Sequence, residues 1–204
     1  VPLALVSCFV GGFLVGGFFT MIPIYLITKY SSIEMVSLFM ACTIIGGLLS
    51  QWPIGKLSDK YGRRKLIAIN GFYISIISLL FIVSFSYENM IYILGVLLGL
   101  SIFSIYPLAL ARANDVVDEN KDIVEISRAL LFTYGLGSFI APILLGFGLY
   151  YYSEFIFVVF AVLGVFLGFY SLSKKRIADD HMSVFVNIPM ASGGTVVEMD
   201  PRQD

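Results

Sequence analysis

The chain has 204 residues, of which 58% are hydrophobic and 13% charged, and its mean hydropathy is +0.91. Soluble domains are usually about 45–50% apolar and about 25% charged, so this is not the composition of a soluble enzyme. The net charge is −1 and no basic cluster marks an exposed domain, so a nucleic-acid footprint is missing too.

Asp, Glu, Lys and Arg are absent from residues 1–28, 35–55, 66–87, 89–111, 129–153 and 155–173. A helix needs about 20 apolar residues to cross about 30 Å of hydrocarbon. The spacing therefore predicts an all-α, polytopic membrane protein with crossings at about 2–28, 35–55, 66–87, 89–111, 129–152 and 155–173. The alternation of an outer-membrane barrel is absent.

The first crossing opens on Val1-Pro2, with no initiator methionine, and is read as the start of a piece of a longer chain. Pro2 suits a first helical turn. Crossings one, two, four and five each carry a proline (Pro23, Pro53, Pro107 and Pro142), whereas three and six carry none. That three-plus-three pattern predicts an inverted repeat, a common plan in secondary transporters. Cys8 and Cys42 sit inside apolar runs and read as small hydrophobes. Glycine pairs four residues apart (Gly12/Gly16, Gly95/Gly99, Gly164/Gly168) read as close helix contacts in lipid.

If the first crossing runs outward, the inner loops and the tail hold every Lys and Arg except Lys29. Such a bias predicts a cytoplasmic tail at 174–204. The inner connection from Ala113 to Ser127 is rich in acids, among them Asp115, Asp118 and Asp122, and reads as a solvated, partly helical linker. The tail, with His181 and the turn-prone Ala191-Ser192-Gly193-Gly194, reads as mostly irregular. No crossing has an ionisable group at mid-depth, where such groups mark ion or proton paths. Any coupling group is therefore expected outside this chain. No catalytic residue, metal or cofactor is expected either.

Between crossings two and three stands Gly55-Lys56-Leu57-Ser58-Asp59-Lys60-Tyr61-Gly62-Arg63-Arg64-Lys65. Here Gly55 permits close helix packing and Gly62 a positive φ, Asp59 can accept from backbone N–H groups or pair with an arginine, and Arg63 and Arg64 suit an anionic surface. The stretch resembles the G-x-L-x-D-x-x-G-R-[RK] loop of the major facilitator superfamily. Gly135-Leu136-Gly137-Ser138-Phe139-Ile140-Ala141-Pro142, followed by Gly146, is similar to the family's fifth-helix pattern, with Ala141 in place of a glycine. Residues 51–59 and 127–138 resemble the bacterial YcaD-type permeases.

The resemblance implies a six-helix half of a twelve-helix transporter. The second half is favoured because Tyr92–Ala111 lacks the arginine usual in the first half's fourth helix. It further implies that Gly55, Asp59, Gly62, Arg63 and Arg64 form a conformational lock, and that Gly135, Gly137, Pro142 and Gly146 serve gating or packing. Transport of a small, neutral or amphipathic solute by alternating access in the bacterial inner membrane is the expected function. Phe19, Thr20, Tyr25, Ser104 and Tyr106 are the candidate path residues. The expected partners are that solute, the bilayer, and a first six-helix half or a second copy of the chain. A homodimerising six-helix scaffold or channel remains the alternative.

Overall fold

A computed structural model describes residues 2–83, 88–115 and 123–174. The expectations for Asp118, Glu119 and Asp122 in the linker, and for His181 and the tail beyond Lys174, lie outside the described residues. There are seven helices among these residues: α1 (Pro2–Tyr30), α2 (Ile33–Tyr61), α3 (Arg63–Val83), α4 (Glu88–Ile102), α5 (Ile105–Asn114), α6 (Ile123–Tyr151) and α7 (Phe155–Ser173). Together they supply six segments long and apolar enough to cross a membrane, with α4 and α5 forming one of them. The fold is that of a six-helix transporter half.

The fourth crossing is broken at Phe103-Ser104, where the sequence predicts a continuous span. Pro107 supplies the cause. Its nitrogen cannot donate to the carbonyl of Phe103, and its ring crowds that carbonyl. Ser104 N instead bonds the Ser101 carbonyl at 3.2 Å in a tighter turn. Pro23, Pro53 and Pro142 lie inside unbroken helices. A proline in a membrane helix therefore does not by itself mark a break.

Helix packing follows the three-plus-three plan. The dominant partners are α1 with α6, α2 with α4, and α3 with α7. Exchanging crossings one, two and three for four, five and six turns the first pair into the second and returns the third to itself. Each predicted glycine pair falls in one of these three contacts. A Cβ on Gly12 would strike the Tyr134 backbone, one on Gly99 the Thr43 carbonyl, and one on Gly164 the Gly71 carbonyl. The partner helices answer with Gly137, Gly46 and Gly71, whose own Cβ positions fall on the backbone opposite. Without a hydrophobic drive between helices in lipid, this close approach of backbones supplies the packing attraction.

One aromatic core joins α1, α2, α3 and α7. Phe81 stacks on Phe157 with centroids 4.6 Å apart, and Tyr25 meets Phe157 edge-on at 5.4 Å. Phe39 and Phe18 extend the cluster towards α2. At the α1–α2 turn, Ser31 has a φ of 53° and the Ser32 side chain caps α2 through the Met35 N–H. Nearby, Lys29 reaches Glu154 of the α6–α7 connection at 3.4 Å.

Candidate functional site

The sequence motif forms the opposite end of the bundle. Helix α2 runs past its predicted limit, through Lys56 and Lys60, to Tyr61. Long basic side chains tolerate this because their stems can lie on apolar surface while the ammonium stays at the interface. Lys56 Nζ sits 3.9 Å from the centre of the Trp52 ring. Gly62 then ends the helix with φ 85° and ψ 131°, its N–H bonding the Ser58 carbonyl at 3.0 Å. That conformation is nearly closed to side chains with a Cβ. A Gly62→Ala variant is expected to lose about 1–3 kcal/mol, read as a lower unfolding midpoint in detergent.

The reversal delivers Arg63 into a buried ionic junction. Its Nη1 donates to Asp115 Oδ1 at 2.7 Å and to the Ala111 carbonyl, and its Nη2 lies 3.4 Å from Asp59 Oδ1. The Arg63 and Asp115 side chains are only 5% and 1% exposed. Asp59 belongs to α2, Arg63 to α3, and Asp115 caps the last turn of α5. Three elements are thus tied at one point. Charge-assisted bonds of this kind are strong only where water is excluded.

Asp115 is therefore a correction to the reading of 113–127 as a solvated linker. Its carboxylate is consumed by Arg63 rather than by water. Sequence reasoning missed it because 52 residues separate the partners. The available hint was an acid at the very end of an apolar crossing, next to Arg112. Glu125 and Arg128 of the same predicted linker and its edge lie on α6, which starts at Ile123.

Arg64 does different work. It donates to the Lys174 carbonyl at the end of α7, while Ser171 Oγ donates to the Arg64 carbonyl at 2.7 Å. The two contacts bind α3 and α7 at their ends.

At Gly55 a Cβ would meet nothing within 4 Å among the described residues. The same holds for Gly135 and Gly146, whereas Gly137 presses on the Phe9 backbone. Of the three gate glycines, Gly137 alone stands at a close helix contact among the described residues. Pro142 is half-buried inside α6.

The path candidates divide as well. Phe19 and Thr20 are exposed, and Phe19 lies edge-on to Phe103 at the break, with centroids 6.0 Å apart. Tyr106 is half-buried against Tyr134. Ser104 is buried, accepts from Asn70 Nδ2 at 2.9 Å and donates to the Ser101 carbonyl. Tyr25 is buried in the aromatic core. It still borders a recess of about 460 Å³ shared with Lys29, Gly146 and Tyr150. The structure therefore brings Tyr25 and Gly146 together, and commits Ser104 to holding the helix break.

Helices α2 and α6 are the least covered of the crossings. On α6, Phe132, Leu136, Phe139, Ile143, Phe147 and Tyr150 form an exposed stripe at helical spacing. On α2, Leu38, Ile45, Leu48 and Trp52 do the same, and the line continues through Gly55 to Asp59.

A six-helix bundle with this packing and this loop defines a class of membrane transporter. The chain belongs to the Major Facilitator Superfamily, whose pattern it matches over residues 4–181. It is 32% identical over 136 residues to the MFS-type transporter YcaD of Escherichia coli, covering 67% of this chain and 34% of the relative. An MFS-type transporter of Yersinia enterocolitica is 31% identical over 152 residues, 74% of this chain and 38% of the relative. One from Enterobacter sp. strain 638 is 29% identical over 175 residues, 86% and 44% respectively. The chain thus spans less than half the length of the curated relatives it matches. It is a multi-pass membrane protein of a transporter family, a class that is not enzymatic.

Proposed function

We propose that this chain is one wall of a transporter that carries a small solute by alternating access, with a second six-helix unit packed on the open stripes of α2 and α6. The second unit is either another stretch of the same protein or a second copy of this chain. The observation that carries the reading is the position of Asp59. It lies at the end of the exposed α2 stripe, one-third open, yet is tied through Arg63 to Asp115 on α5. A group bound to Asp59 from outside would therefore act on the end of the broken crossing.

In this reading the junction faces the cytoplasm of a bacterial cell, in keeping with the gathering of the described Lys and Arg residues other than Lys29 at that end of the bundle. Solute would pass between the units near mid-membrane, along Phe19, Thr20 and Tyr106, and the recess at Tyr25 and Gly146 would be a vestibule at the other end. Alternating access then amounts to rocking of one unit against the other, with the junction latched in one state only.

The test is uptake or efflux of candidate neutral solutes in vesicles holding the protein in its native length. Saturable flux is expected, and an Asp59→Asn variant is expected to insert normally while carrying less. Full flux in that variant would remove the latch. Absence of saturable flux across a broad solute panel would favour a scaffold.

A further inference from the structure

Beside the break in the fourth crossing lies a cavity of about 240 Å³ that the transport path does not use. Ser50, Pro53 and Ile54 of α2 wall one side, Ile69, Asn70 and Tyr73 of α3 another, and Leu100 and Ser101 of α4 with Leu108 of α5 the floor. No charged side chain lines it, so its occupant is neutral. An apolar cavity of about 150 Å³ accepts a benzene ring, and this one has room for a somewhat larger molecule.

One polar feature distinguishes it from a packing defect. Asn70 is more than nine-tenths buried. Its Nδ2 is spent on the Ser101 carbonyl at 3.0 Å and on Ser104 Oγ at 2.9 Å. No described residue donates to its Oδ1. An amide oxygen that takes no donor from the protein is a ready acceptor at a cavity wall, and a ligand with one O–H or N–H would engage it. Ile69, 59% exposed on a membrane-crossing helix, stands at the edge of the cavity, so the approach is from lipid.

We propose that this cavity binds a lipid-dissolved, neutral amphiphile of medium size carrying a single hydrogen-bond donor. The donor meets Asn70 Oδ1, and the apolar body lies along Leu100, Ile54 and Tyr73. Such a molecule touches α4 and α5 on both sides of the Phe103-Ser104 break, and so braces the joint that separates the ionic junction from the rest of the crossing. The site stands apart from the solute path and does not depend on which solute is carried.

The test is photolabelling of the full chain in lipid vesicles with an eight-carbon alcohol bearing a diazirine, followed by peptide mass mapping. Adducts are expected on Ile69, Asn70, Tyr73 or Leu100, saturably suppressed by excess 1-octanol and less well by octane. A cavity-filling Ser50→Phe variant should lose them; if that variant does not fold, protection by octanol in the unaltered chain reads the same quantity. Adducts spread over the outward residues Ile76, Leu79 and Phe169, or adducts that octanol does not suppress, would overturn the site. Equal protection by octane would overturn the role given to Asn70.

Discussion

Asp115→Ala is expected to cost about 3–5 kcal/mol, among the largest losses of any single substitution in the chain, because it strips a buried guanidinium of its 2.7 Å carboxylate. Arg63→Met should cost less, because Arg112 still faces the Asp115 carboxylate. The double variant Arg63→Met with Asp115→Leu should recover part of the loss, since two buried charges leave together, while Arg112, buried beside Asp115, still loses that carboxylate. Unfolding midpoints of the purified chain in detergent would measure all three. If the two single losses simply add in the double variant, the junction is not an energetic unit and the tie between α2, α3 and α5 is only geometric. Flux separates stability from mechanism: the double variant should be folded yet poorly regulated, because nothing would then transmit the state of Asp59 to α5.

How much of this was legible beforehand depends on whether the cause is local. Six crossings followed from where charges are missing, since the cost of a buried charge acts residue by residue. The positive φ of Gly62 followed from the need to reverse direction within one residue between α2 and α3. The glycine pairs followed too, because small residues one helical turn apart serve one purpose in lipid. Asp115 did not, since its meaning comes from Arg63, 52 residues away in sequence. Nor did the break at Phe103-Ser104, because four crossings contain a proline and only one comes apart. What distinguishes Pro107 is its surroundings: Asn70 on α3 satisfies the Ser101 carbonyl and engages Ser104 at the broken turn, and that compensation lies on another helix. The neighbour of Gly55 was not legible either. The residue type that permits close packing was visible, but among the described residues a Cβ there would meet nothing within 4 Å.

Helices in lipid associate through backbone proximity, so glycines that look alike in sequence should behave in opposite ways. Gly12→Leu is expected to destabilise the bundle by about 1–3 kcal/mol or more, because even the first carbon of the new side chain lands on the Tyr134 carbonyl and α1 must separate from α6. Gly146→Ala, about three turns further along the same packed pair but with open space at its Cβ, should leave stability unchanged or raise it, since alanine is the better helix former by about 1 kcal/mol. Enlarging that residue to tryptophan then asks what covers it. In detergent the Gly146→Trp chain should unfold with the midpoint of the unaltered chain, while transport by the native-length protein should fall sharply if a second unit closes on the stripe between Ile143 and Tyr150. Undiminished transport in Gly146→Trp would mean that this face of α6 looks onto lipid, and would leave α2, with Asp59 at its end, as the contact through which the two units read each other.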